Sequence, residues 1–226
     1  MNVVVFASRK GGTGKSTLTA HLAAHVHKPS RPCLLVDADS QGSLTLWHRL
    51  RETGEPPLKN GLRNLPEIIK NAKRDGFEWV FIDTPPQSSA LVTEAIRSAT
   101  MVIIPARPSV FDLNAIKETI EICRTAKRAY AVVLNAAPPR RQDAEAPAII
   151  EARANLEALG APVWAGQISH RAAFSLALGD GAGIKEYDKD SYAAAEMTRL
   201  WSAIEKSVKA INGASAGGDA MHKRAA

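Results

Sequence analysis

The sequence predicts an α/β protein with a mostly parallel central sheet covered by helices on both faces. Three observations carry that prediction. Short apolar runs alternate along the chain with longer amphipathic ones, the order a parallel sheet requires because each crossover takes a helix. The short runs are apolar throughout, as strands buried on both faces must be. Most of them stop at a glycine, an aspartate or an asparagine, and in such sheets ligands bind beyond the carboxyl ends of the strands.

In chain order, residues 2–7 are rich in valine and read as a strand. Residues 16–27 carry Leu18, Leu22 and Val26 at helical spacing. Residues 33–36 form a second buried strand that ends at Asp37, and residues 43–51 read as a helix. Residues 51–61 contain Gly and Pro without a period and are expected to be a loop. Leu65, Ile68, Ile69 and Ala72 mark a helix, and residues 79–82 a strand ending at Asp83. A helix over 88–98, a strand over 101–104, a helix over 111–127 and a strand over 131–134 follow, the last running into Asn135. A helix over 146–159 and a last strand over 163–168 come next. Met197, Leu200, Ile204, Val208 and Ile211 then line one face of a long final helix. Residues 1–212 are expected to form a single domain, and residues 213–226, small and polar without a period, a frayed tail.

The chain has 226 residues, 45% of them hydrophobic and 23% charged, which is ordinary for a globular domain with one sizeable core. Its two cysteines, Cys33 and Cys123, exclude a disulfide framework and a four-cysteine metal site. Both lie in apolar surroundings and read as buried thiols, which fits a cytoplasmic location. No apolar stretch approaches the roughly 20 residues that span a bilayer, and residues 1–6 are too short for a signal peptide. The net charge of +6 is compatible with a polyanionic partner and equally with a solvated basic surface. His21 and His25 stand at i,i+4 on a helix, a metal-ligand spacing, but no third ligand is evident, and a packed or solvated helix face is expected.

After the first strand comes Lys10-Gly11-Gly12-Thr13-Gly14-Lys15-Ser16-Thr17, leading into a helix. Glycines let backbone N–H groups turn toward a phosphate, the helix N-terminus adds a favourable dipole, and Lys15 supplies a point charge. Ser16 offers a hydroxyl to Mg²⁺. A tight turn alone would not explain Lys15. The general phosphate-loop pattern asks for Gly at the position held here by Arg9, and Lys10 is an additional lysine. The second strand ends in Asp37-Ala38-Asp39-Ser40-Gln41-Gly42. A carboxylate there can accept a water proton or order metal ligands, or it can shape the turn and cap the next helix. The structural role falls to Asp37 and the catalytic one to Asp39. The third motif, Asp83-Thr84-Pro85-Pro86, places a carboxylate at a strand end beside the loop, the arrangement that holds Mg²⁺ directly or through water.

The string Lys-Gly-Gly-x-Gly-Lys-Ser resembles the deviant Walker A motif of the ParA/MinD family of P-loop ATPases, and implies a three-layer P-loop NTPase fold. The Asp37–Gly42 string is similar to the family's Asp-x-Asp-Pro-Gln-Gly, with Ser40 in place of Pro. Asp83-Thr84-Pro85-Pro86 and the Pro-x-x-Pro-Ser-x-x-Asp string over 105–112 also match the family's forms. The resemblance implies that Lys10 reaches across a dimer interface to the other subunit's phosphates. It gives Asp39 the attacking water, and Ser16 and Asp83 the Mg²⁺. It offers Asn135 the adenine, with loop capping as the alternative. It implies ATP and Mg²⁺ as cofactors, an ATP-bound homodimer, non-specific DNA binding and a ParB-like activator in plasmid or chromosome partition. Arg171, Lys185, Arg199, Lys206 and Lys209 are the candidate DNA contacts, with a solvated basic face as the alternative. Alternatives within the family are positioning of a protein cargo and a MinD-like membrane role. The terminal residues show no apolar helix face long enough for the latter, so no stable membrane association is expected. An iron–sulfur reductase is disfavoured by the surroundings of Cys33 and Cys123, and a small-molecule kinase by the lack of a recognisable substrate pocket.

Overall fold

The computed structural model describes residues 1–87, 89–140, 142 and 144–224. The elements are β1 (Asn2–Phe6), α1 (Lys15–Val26), β2 (Cys33–Asp37), α2 (Ser43–Leu50), β3 (Leu58–Asn60), α3 (Leu65–Arg74), β4 (Trp79–Asp83) and α4 (Ala90–Ser98). They continue with β5 (Met101–Ala106), α5 (Val110–Ala115), α6 (Lys117–Thr125), β6 (Ala129–Leu134), α7 (Pro147–Ala158), α8 (Ala172–Gly179), α9 (Ile184–Tyr187) and α10 (Tyr192–Arg224). The six strands form one parallel sheet in the order β3-β2-β4-β1-β5-β6.

Alternate residues of each strand face opposite layers, which splits the core in two. Val3, Val5, Val36, Ile82 and Ile104 pack with Leu65 of α3, Ile96 of α4, Ile120 of α6 and Leu156 of α7. Val4, Phe6, Leu35, Phe81 and Ile103 pack with Leu18 and Leu22 of α1, Trp47 of α2, Phe174 of α8 and Leu200 of α10. Both-face burial is why the strands are uniformly apolar. Cys33 and Cys123 are buried free thiols, and burial pushes Cys123 up to about 12.

The structure differs from the sequence expectation in five places. The segment 163–168 is not a strand: beside β6 it makes the isolated bridges Val132↔Val163 and Ala137↔Ser169 and one further bond, from the Ile168 N–H to the Leu134 carbonyl, with no continuous ladder. Arg153 takes the carbonyls of Trp164, Ala165 and Gly166, acceptors that a ladder would have used. β3 lies inside the expected loop; it is a short edge strand pairing β2 alone, and needs no apolar run because its outer side is unpaired. The helix expected over 111–127 is broken at Ile116 into α5 and α6. α8 and α9 were not foreseen, because small residues and short length give them little periodicity. α10 is continuous past residue 213, where the tail was expected to begin; residues 225 and 226 of that tail lie outside the described residues.

α1 and α9 are joined by a histidine. The Ile184 N–H donates to Nδ1 of buried His21 at 2.9 Å, and the ring packs on Phe174 with centroids 5.1 Å apart. Burial lowers His21 and His25 to about 4 each, with Lys185 and Lys28 adding to the effect at His25. Between the ordinary histidine value of about 6.5 and pH 4 the unfolded chain takes up protons that the folded chain refuses. Stability is therefore full above pH 6.5 and falls as the pH drops toward 4. Thermal melts across that range should show this loss, and His21→Gln, which keeps an acceptor but cannot titrate, should show a shallower one.

Candidate functional site

Parallel pairing puts the carboxyl ends of all the strands along one edge, and the register places Phe6, Asp37 and Asp83 side by side. The loop over 7–14 leaves β1 at that edge and turns into α1, whose first hydrogen bond joins the Leu18 N–H to the Gly14 carbonyl at 2.9 Å. Gly14 has φ +98°, and a Cβ there would stand 2.1 Å from Nδ2 of Asn135. That amide, arriving from the end of β6, donates to the Thr13 carbonyl at 2.7 Å. Glycine is thus required at 14 both by backbone conformation and by the close approach of Asn135. In this structure Asn135 braces the loop, the capping alternative raised by the sequence.

Gly11, Gly14, Lys15, Ser16, Thr17 and Asp39 line one cleft of about 350 Å³. Lys15 is buried in it, and burial lowers its pKa while Asp83 and Asp39 pull it back up. Asp83 is fully buried, and neither carboxylate oxygen has a hydrogen-bond partner. Burial pushes its carboxyl up to about 7. The Ser16 hydroxyl, which lies close without reaching full hydrogen-bond geometry, and Lys15 pull it down, while Asp37 and Asp39 push it further up. The Thr84 hydroxyl ties the end of β4 to the Phe6 carbonyl at 2.8 Å.

Asp37 and Asp39 divide their work. Asp37 accepts from the Thr45 N–H and hydroxyl at 2.8 and 2.6 Å and from the Asp39 N–H at 3.2 Å, so its carboxylate is spent on holding the start of α2. Asp39 is half-buried at the cleft, and accepts the Gln41 N–H at 3.0 Å. Its other oxygen has no hydrogen bond to the described residues.

Lys10 opens the loop motif and is not among the residues that line the cleft. Its Nζ donates to Oδ2 of Asp112 at 2.6 Å, an oxygen that also accepts the Ser109 hydroxyl at 2.6 Å. Asp112 is buried, and its other oxygen has no partner. Arg9 pairs with Glu118 at the start of α6, which gives that unusual loop residue a local role. Sequence reasoning missed Asp112 as the partner of Lys10. The signal was the Asp at the end of the Pro-x-x-Pro-Ser-x-x-Asp string, whose serine caps α5 and orients the carboxylate.

The candidate DNA contacts divide as well. Arg199, Lys206 and Lys209 share the exposed stripe of α10, with Lys209 3.6 Å from Glu205. Lys185 is exposed near His25. Arg171 is engaged instead: its Nη2 reaches Glu196 at 3.2 Å, and its guanidinium lies 5.5 Å from the Tyr192 ring centroid. The buried Glu196 in turn holds the Ser169 N–H and hydroxyl, so Arg171 is part of a structural network.

The chain matches the family described as CbiA, the CobQ/CobB/MinD/ParA nucleotide binding domain, over residues 4–184. It belongs to that family. It is 29% identical over 188 residues to the maintenance of carboxysome distribution protein A of Halothiobacillus neapolitanus, a match covering 79% of this chain and 84% of that one. It is 32% identical over 149 residues to protein ParA of Rhizobium radiobacter, covering 62% and 66% of the two chains. The fold is also that of the septum site-determining protein MinD from Pyrococcus horikoshii, solved with Mg-ADP, at TM-score 0.74 and 20% identity over 93% of this chain and 98% of that one. The chain is therefore a ParA/MinD-family ATPase with the six-stranded parallel sheet of that fold. Among the described residues no helix is long and apolar enough to cross a membrane.

Losing the Asn135 side chain strands the buried Thr13 carbonyl, which costs about 1–3 kcal/mol. Asn135→Ala should therefore lower the melting temperature and weaken nucleotide binding together. Gly14→Ala, which meets both the Asn135 amide and the positive φ, should do so more severely; calorimetric titration with ADP beside thermal melts reads both effects.

Proposed function

We propose that the chain hydrolyses ATP to ADP and phosphate as an ATP-dependent homodimer, and uses that cycle to position a cargo with a stimulating partner protein. One observation supports this reading above the others: the loop carries two lysines with different situations. Lys15 is buried in the cleft beside Asp83, whereas Lys10 does not line it and is engaged by Asp112. A second loop lysine held outside the lining of its own cleft suits a group that serves the partner's phosphates.

The cleft fits the cofactors. The orphaned oxygens of Asp83, with the Ser16 hydroxyl beside them, are hard donors suited to Mg²⁺, which when bound would neutralise phosphate charge. The N–H groups of Gly11, Gly12, Thr13 and Gly14, with Thr17 and the Lys15 ammonium, suit a triphosphate. Asp39, with one oxygen unengaged, is placed to orient the attacking water. Lys10 adds positive charge from the second subunit as charge develops in the transition state.

DNA binding of the ATP dimer is supported by the net charge of +6 and by the exposed stripe of Arg199, Lys206 and Lys209. A ParB-like activator and plasmid or chromosome partition follow from the likeness to protein ParA. A protein body as cargo, the second reading, is favoured by the relative named for carboxysome distribution. In both readings the activity is cytoplasmic, with the ATP dimer held on the nucleoid.

ATPase rate per protomer should rise with protein concentration and rise again with DNA. Lys10→Ala should abolish the concentration dependence and the turnover while leaving ADP binding largely intact. Normal turnover by that variant would overturn the cross-subunit role. Replacing Arg199, Lys206 and Lys209 together by Ala should weaken DNA binding at every sequence tested. It should also reduce the slope of log affinity against log salt by about 0.9 for each side chain that contacts a phosphate; an unchanged slope removes these residues from the interface.

A further inference from the structure

Arg107 immediately follows β5, and β5 is the neighbour of β1 on the side opposite β4. The phosphate loop is therefore bracketed by what leaves these two strands. Pro86, after β4, lies 3.9 Å from where a Cβ on Gly11 would stand; Nη2 of Arg107 lies 3.4 Å from where one on Gly12 would stand. The guanidinium thus rests on the loop itself, at a glycine with φ +72°.

The backbone that delivers it is constrained. Pro105 and Pro108 flank it, and a residue before proline is confined to extended conformations. The Asn135 N–H holds the Ala106 carbonyl at 2.8 Å, and the Ser109 N–H closes on the Arg107 carbonyl at 2.8 Å. Its side chain is exposed, and no carboxylate or other acceptor among the described residues engages it.

That is an unfavourable place for an unpaired cation. Lys10 is neutralised by Asp112, and Lys15 faces Asp83 and Asp39, but among the described residues Arg107 has no such anion. Beside it are the N–H groups of a loop whose positive ends gather inward. A phosphate reverses the sign of every one of these interactions, and a planar guanidinium offers it paired donors.

We propose that Arg107 is a phosphate ligand for the nucleotide bound in its own subunit, acting over the tip of the loop at Gly12. The inference rests on the nucleotide reading of the cleft. It adds to the sequence-derived site a cation that comes from the β5 edge and lies outside the loop motif.

Calorimetric titration of the full chain with ADP, and with a slowly hydrolysed ATP analogue, tests it. The set is wild type, Arg107→Ala, Arg107→Lys and Lys15→Ala, with melting temperatures of the nucleotide-free proteins. Arg107→Ala should weaken both nucleotides by about 10-fold, the loss expected for one charge-assisted contact. Arg107→Lys should recover part of it. The nucleotide-free melting temperature should stay level or rise, because an unneutralised cation has been removed. Nucleotide affinity equal to wild type in Arg107→Ala overturns the inference while wild-type binding and the Lys15→Ala loss leave the nucleotide reading standing. A binding loss accompanied by a lowered melting temperature, and not recovered by lysine, assigns Arg107 a structural role and also overturns it. A wild-type chain that binds neither nucleotide overturns the nucleotide reading and this inference with it.

Discussion

Burial of β1 on both faces and along both edges is the constraint from which the site follows. Val4, Val5 and Phe6 have no exposed surface, and β4 and β5 pair with the strand on either side. A chain leaving such a strand has one way out, at the carboxyl edge, and there β4 ends in register with it while β5 runs on to Ala106. Asp83 is therefore set beside the loop by backbone pairing before any side-chain contact is made. The loop is short of room at Gly14, where Asn135 closes on it, while Pro86 and Arg107 lie at ordinary contact distance from Gly11 and Gly12. Gly12 and Gly14 also have positive φ, which favours glycine at both.

The electrostatics of the edge are unbalanced in a consistent sense. Buried Lys15 and buried Asp83 each hold the other's charge only in part, so desolvation dominates both: it lowers the lysine and raises the carboxyl to about 7. A buried carboxylate without hydrogen bonds is a cost that a fold carries where a ligand can offset it. The same edge contains a carboxylate that is fully spent, Asp37, whose bonds to Thr45 and Asp39 fix the turn. Two aspartates two residues apart thus differ by whether the backbone has already claimed them.

Much of this could be read in the sequence, and the limits have physical causes. Strands buried on both faces declare themselves as apolar runs, so β1, β2, β4, β5 and β6 were legible, and with them the polar residues at their ends. The placement of Lys15, Ser16, Asp39 and Asp83 at one edge was legible for that reason. β3 was not, because an edge strand of Leu58, Lys59 and Asn60 has no pattern to show. The opposite error arose at 163–168, where an apolar run lies beside the sheet but gives its carbonyls to Arg153. Pairings across long separations were also hidden. Lys10 with Asp112, Arg9 with Glu118 and Arg171 with Glu196 depend on which loops share an edge, and residue type alone does not reveal that.

The Lys10–Asp112 pair bears directly on how nucleotide could control association. Asp112 is almost wholly buried, and one of its oxygens has no partner even with Lys10 in place. Removing the ammonium would leave the Ser109 hydroxyl as the one donor to its carboxylate among the described residues, and an uncompensated buried carboxylate is costly. On the proposed reading, Lys10 exchanges this anion for another when two subunits meet. A triphosphate on the opposing loop offers more negative charge than one carboxylate, and a cleft without nucleotide offers none. Lys10 would then stay on Asp112 until the partner's cleft is loaded, so a single lysine would make association depend on the nucleotide state of the other subunit.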